Sequence, residues 1–219
     1  MFPFARRELD AFLSANWANP ATAEACNQIA IDAGHESLAG WSGHQSTDEA
    51  SQELIRNEVT RLMDGDIKAT GLKALQGLIW KSGFENREMV AHVYDDVVPA
   101  INEWKSSGID LRIYSSGSVG AQKLFFGHTE FGDLLDHFSA HYDTKIGSKR
   151  ESESYTKIAL DTGQPASTIL FASDVLAELD AAKAAGMQTV LSIRPGNATV
   201  DEAHGHPTIT TFAGIEFES

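Results

Sequence analysis

Apolar and polar positions change rhythm near residue 90. Before that point Phe12, Ile29, Ile31, Leu54, Ile55, Val59, Leu62, Leu72, Leu75, Leu78 and Ile79 recur mostly at helical spacings, which gathers apolar side chains on one side of a helix. Asn19-Pro20 and Ala39-Gly40 are the expected breaks, and no strand is predicted in this half. From residue 98 the rhythm alternates. A helix is predicted over Pro99–Ser106, then a strand-like run Asp110–Tyr114, a Ser/Gly turn and another helical stretch. Two further β-branched runs, Thr168–Ala172 and Gln188–Ile193, flank a helical segment from Val175 to Ala185. Such βα units build a parallel sheet covered by helices, with its chemistry at the C-terminal strand ends. The expectation is an α/β protein with a helical domain over 5–92 and a Rossmann-like core over 93–219. The tail from Asn197 should dock Phe212 and Phe217 on that core.

Composition narrows the partners. The 219 residues are 42% hydrophobic and 22% charged, which suits a globular chain with a sizeable core. Seventeen Lys and Arg against 31 Asp and Glu leave a net charge of -14, a field that repels nucleic acid and anionic membrane surfaces. A phosphorylated ligand needs local basic groups, helix N-termini or a divalent cation to overcome that sign. The single cysteine, Cys26, excludes an intramolecular disulfide and fits a reducing cytoplasm. No run approaches the roughly 18 apolar residues of a membrane span, and the opening MFPFARRELDAF carries charges where a signal peptide has its apolar stretch. A cytoplasmic monomer is expected.

Three places can carry chemistry. At Ile113-Tyr114-Ser115-Ser116-Gly117-Ser118 a strand stops in hydroxyls and a glycine before a helix. Backbone N–H groups and the Ser115 or Ser116 hydroxyl suit an oxyanion there, while Ser118 as an ordinary cap is the plainer reading. The loop Lys145–Tyr155 offers Lys149 to neutralise a phosphate, or simply to sit in solvent, with Ser152 or Ser154 as a cap. At Ile169–Glu178 an apolar strand runs into Asp174, with Glu178 four residues later. A carboxylate so placed suits Mg2+, which keeps several waters and takes one or two carboxylates plus phosphate oxygens, or caps the following helix. Strand then Ser, Lys before a helix, strand then Asp, in one βα succession, is the order of the haloacid-dehalogenase-like hydrolases, which the chain resembles.

Longer stretches resemble one branch of that class. Tyr114–Gly127, Asp143–Gly147, Lys149 with Glu151–Tyr155, and Arg194-Pro195-Gly196-Asn197 look like the enolase-phosphatases, also called acireductone synthases, and Leu72–Trp80 resembles a helix of that family's cap. The resemblance implies a helical cap over the Rossmann-like core and conversion of 2,3-diketo-5-methylthiopentyl-1-phosphate to acireductone and phosphate, with Mg2+, in methionine salvage. It puts Ser115, Ser116 and Lys149 on the substrate phosphate, with Lys149 also catalytic, and Asp174 on Mg2+. Glu178 becomes a partner of the metal's waters, and Gln76 and Trp80 candidate contacts to the diketone, or helix packing residues. The family also has an early strand ending in Asp-x-Glu-Gly-Thr, whose Asp attacks phosphorus. No such motif occurs in the chain, whose opening Met1–Arg7 resembles the segment after it. The first core strand is therefore expected to be absent and activity impaired. A general phosphatase of the class and a non-catalytic Mg2+ or phosphate binder are the alternatives.

Overall fold

The structure is a computed structural model that describes residues 1–43, 46–200 and 204–217. The chain divides into two compact units, Met1–Ala91 and His92–Ser219.

Unit 1 is helical, with α1 (Phe2–Asn16), α2 (Pro20–Asp32), α3 (Leu38–Ser42), α4 (Asp48–Asp64) and α5 (Thr70–Glu85). Each long helix buries one stripe: Leu9 and Leu13 from α1, Cys26 and Ile29 from α2, Ile55 and Val59 from α4, Leu75 and Ile79 from α5. Asn19 starts α2 by accepting from the Ala21 N–H, and Thr47 starts α4 by accepting from the Ala50 N–H, the usual chemistry of a helix N-terminus. The expected break at Ala39-Gly40 lies inside α3 instead. The interruption comes earlier, where Gly34 turns with φ +90 and Ser37 caps α3 by accepting from the Gly40 N–H. Burial pushes the Cys26 thiol up to about 12, so it is an inert core residue.

The tightest approach in unit 1 is α2 against α5. Gly71 donates its N–H to Asp32 Oδ2 at 2.7 Å, and a Cβ at Gly71 would lie 2.4 Å from the Ile29 nitrogen.

Unit 2 alternates as its sequence predicts: α6 (Val97–Ser106), β1 (Arg112–Tyr114), α7 (Val119–Gly127), β2 (Ala140–Tyr142), α8 (Ser152–Thr162), β3 (Leu170–Ser173), α9 (Leu176–Ala184), β4 (Gln188–Ser192) and β5 (Thr208–Ile209). Among the described residues every ladder is parallel, but the sheet comes in two pieces, β1–β2 and β3–β4–β5. β4, paired on both sides, buries Thr189, Val190 and Leu191. β1 and β3 each have one edge outside any ladder, their side chains are only half-buried, and Ala172 is exposed. The core of the unit gathers Tyr155, Ile158 and Ala159 of α8 with Ala181, Ala182 and Met187, and Tyr114 and Phe171 pack against it. The tail docks as expected, Phe212 and Phe217 lying 5.3 and 5.7 Å from the Trp104 ring. No helix among the described residues is long and apolar enough to cross a membrane.

Gly71→Ala should force α2 and α5 apart, a local overpacking worth about 2 kcal/mol. Urea denaturation of the variant should show a lower midpoint with an unchanged slope.

Candidate active site

Two loops at the C-terminal strand ends form the site, the first of them held by α8. In the first, Tyr114 OH, Ser154 Oγ and Tyr155 OH donate to the carbonyls of Gly147, Ser148 and Lys149 at 3.0, 2.8 and 2.7 Å. Three consecutive peptide units are thereby fixed. Gly147 is required in this loop, because its φ is +148 and a Cβ would meet Ser154 Oγ at 2.1 Å. The consequence is a placed Lys149: its Nζ lies 5.7 Å from the Tyr114 ring, 5.9 Å from the Phe171 ring and 2.5 Å from Glu178 Oε2. Both ends of the ion pair are largely buried, with 20% and 13% of their side chains exposed. Glu178 is held in turn by Ser173, whose hydroxyl donates to Oε2 at 2.8 Å. An ammonium has three donors, so one serves Glu178 and the others remain for an oxyanion.

The second loop follows β1. Ser115 N–H donates to the Tyr142 carbonyl at 3.1 Å, continuing the β1–β2 ladder past its last residue. Ser115 Oγ accepts from the Gly117 N–H, and Ser118 Oγ accepts from the Ala121 N–H to cap α7. Ser118 is thus the cap, and the Ser116 hydroxyl is exposed with no partner among the described residues. Asp143, almost fully buried, accepts from the N–H groups of Val119 and Lys145, while Gln122 donates to the carbonyls of Gly117 and Tyr142. Together they set the loop's path.

Asp174 stands just beyond β3. It does not cap α9: Val175 occupies the cap position without a side-chain bond, and the Val175 N–H goes to Ser173 Oγ. Instead Asp174 Oδ2 accepts from Asn197 Nδ2 at 2.9 Å, leaving Oδ1 exposed and without a partner among the described residues. Asn197 closes a turn anchored by Arg194, which forms two bonds to Asp96 at 2.7 and 2.9 Å and lies 5.0 Å from both the Tyr94 and Phe212 rings. Among the described residues no group of three or more His, Cys, Asp or Glu side chains converges to hold a metal. One exposed carboxylate fits Mg2+ as a single hard oxygen anchor, the remaining ligands being water and phosphate oxygens.

The structure thus brings Lys149, Glu178 and Ser173 into direct contact, and Tyr114 ties Lys149 to the serine loop that follows it. Asp174 lies next to Ser173 but is engaged with Asn197. Glu178, expected beside the metal's waters, has its carboxylate on Lys149. In unit 1 Gln76 and Trp80 are buried, and the Trp80 indole donates to the Met1 carbonyl at 2.9 Å against the edge of Phe2, the packing arrangement. Sequence reading assigned no role to Tyr155, Asp143, Asn197 or the Asp96–Arg194 pair. The signal available for Asn197 was a Pro-Gly turn directly after a strand.

Comparison with known proteins gives the family. The family model described as a haloacid dehalogenase-like hydrolase matches residues 16–186. Enolase-phosphatase E1 of Aquifex aeolicus is 44% identical over 216 residues, spanning 99% of this chain and 90% of that protein. Enolase-phosphatase E1 of Erwinia tasmaniensis is 41% identical over 218 residues, spanning 100% and 89%. Among solved structures, the UTR4 protein of Saccharomyces cerevisiae superposes with a TM-score of 0.77 at 30% identity, covering 98% of this chain and 90% of that one.

The Asp96–Arg194 pair yields a pH prediction. Burial pushes the Asp96 carboxyl up, but hydrogen bonds from Arg194, the Phe212 N–H and Thr211, together with the Arg194 charge, outweigh it and hold the group at about 2. A carboxyl held below its ordinary value of 3.8 stabilises the fold above that value and loses its contribution as pH falls through about 2. Asp96→Asn should therefore cost about 2 kcal/mol at neutral pH. The gap from wild type should close as urea titrations move from pH 4 toward 2, whereas a gap constant over that range contradicts the assignment.

Proposed function

Because the chain belongs to the haloacid dehalogenase-like hydrolases and, within them, to the enolase-phosphatases, we propose that the strand-end cluster of unit 2 binds the phosphate of 2,3-diketo-5-methylthiopentyl-1-phosphate, on the way to acireductone and inorganic phosphate in methionine salvage. The observation that carries this reading is the placement of Lys149, fixed through its own and the two preceding carbonyls between the end of β1 and the end of β3. A cation held by its backbone is ready before the ligand arrives, which is the economical way to stabilise charge that develops during phosphoryl transfer.

In this reading the Ser116 hydroxyl takes a phosphate oxygen, with Ser115 shaping the loop and presenting its own hydroxyl. Lys149 turns its remaining donors to the same oxygens and neutralises them as the phosphorus–oxygen ester bond breaks. Asp174 Oδ1 is the chain's own ligand for Mg2+, which when bound supplies further neutralisation of the phosphate. Glu178 holds Lys149 in place. Enolisation requires removal of a proton beside a carbonyl, and attack on phosphorus requires a carboxylate. No Asp-x-Glu sequence occurs among the 219 residues, so neither of these steps is given to a residue of this chain. The unpaired edges of β1 and β3 border the site such a carboxylate must reach.

The test is a substrate profile with Mg2+, using polypeptide in which an Asp-x-Glu-Gly-Thr-like segment precedes Met1. Enol formation and phosphate release from the diketone phosphate are expected, with Lys149→Met lowering turnover about 100-fold. Turnover of simple phosphate esters without the diketone phosphate would make it a general phosphatase of the class, and binding with no turnover a non-catalytic relative.

A further inference from the structure

We infer that Asn197 is a positioning and specificity-determining residue: it holds one oxygen of Asp174 so that only the other is offered to a cation, favouring Mg2+ over Ca2+. This rests on the reading of Asp174 as a cation ligand.

The amide's orientation follows from its two partners. Asn197 Oδ1 takes the Arg194 N–H at 2.6 Å, and a main-chain N–H can only donate. Nδ2 must then face Asp174 Oδ2, which it meets at 2.9 Å, and an ionised carboxylate can only accept. Neither contact survives a flip of the amide.

The turn that carries the amide is stiff for reasons visible in its four residues. Arg194-Pro195-Gly196-Asn197 closes with Asn197 N–H donating to the Arg194 carbonyl at 3.0 Å. Gly196 has φ +91. A positive-φ glycine at the third position is the requirement of a type II turn, and proline at the second favours it. Its first residue is tied down independently of Asp174, since the Arg194 guanidinium is paired with Asp96, donates to the Thr210 carbonyl at 2.8 Å and is only 8% exposed. The amide therefore acts as a fixed arm from the body of the unit to a carboxylate that is otherwise exposed.

Fixing one oxygen matters because the two ions ask for different things. Mg2+ takes one oxygen per carboxylate in tight octahedral geometry, while Ca2+ accepts looser shells and both oxygens of one carboxylate. With Asn197 in place, Asp174 is suited to the first. With the arm removed, Asp174 can turn and offer both.

The probe is Mn2+, followed through the electron paramagnetic resonance of the free ion, with Mg2+ and Ca2+ as competitors and no substrate. Asn197→Ala should weaken Mn2+ binding about tenfold, the usual effect of losing a hydrogen-bonded partner of a ligand. The preference for Mg2+ over Ca2+ should fall with it. Asn197→Ser keeps an acceptor near the Arg194 N–H but is too short to reach Asp174. It should behave like the alanine variant while retaining the thermal midpoint of the metal-free protein. Unchanged affinity and unchanged selectivity in both variants would overturn the role of Asn197. Failure of the wild type to bind Mn2+, or binding that survives Asp174→Asn, would overturn the assignment of Asp174 and the inference with it.

Discussion

The ring of Tyr155 lies fully buried, its centroid 5.5 Å from that of Tyr114 on β1 and 4.9 Å from that of Phe171 on β3, both edge-to-face. Its hydroxyl donates to the Lys149 carbonyl. No backbone ladder joins β1 to β3, so within unit 2 this side chain couples the two sheet pieces and positions the candidate phosphate cation at once. Aromatic edge-to-face pairs contribute about 0.5–1.5 kcal/mol each beyond the area they bury, and a hydrogen bond about 1 kcal/mol. Burial also raises the phenol's pKa, with the nearby Glu178 charge acting in the same direction, so the hydroxyl remains the donor that Lys149's carbonyl needs.

Around that ring the molecule resolves an electrostatic conflict. A chain with net charge -14 repels a phosphate ester at a distance, and attraction must therefore be local. The structure sets a lysine among aromatic rings and pairs it with a neighbouring carboxylate. Among the described residues, it also leaves the Ser116 hydroxyl and Asp174 Oδ1 without partners at the strand ends. Three nearby acids are committed: Asp143 to two backbone N–H groups, Asp96 to Arg194, Thr211 and Phe212, and Glu178 to Lys149 and Ser173.

Local chemistry made much of this legible in advance. β-branched runs located β3 and β4 within about two residues, and the hydroxyl-rich stop after Tyr114 and the acid after Ser173 marked two strand ends. What escaped depended on contacts made across the fold. Arg194 and Asp96 are 98 positions apart, and nothing in either neighbourhood names the other. Asp174 was expected to bind Mg2+ or else to cap the following helix; the cap position is taken by Val175 in extended backbone, but the contact with Asn197 could not be foreseen. β5, two residues long, is too short for any period to show. The pairing of each strand escaped as well, since hydrophobic pattern identifies a strand but not what its edges pair with.

The function of unit 2 turns on whether the strand-end cluster binds an oxyanion at Lys149. Calorimetric titration of the protein with inorganic phosphate in the presence of Mg2+, at low ionic strength, measures this without requiring turnover. Binding that needs Mg2+ and disappears in a folded Lys149→Met variant is the predicted result; phosphate that binds the variant as well as the wild type, or neither protein, would contradict it.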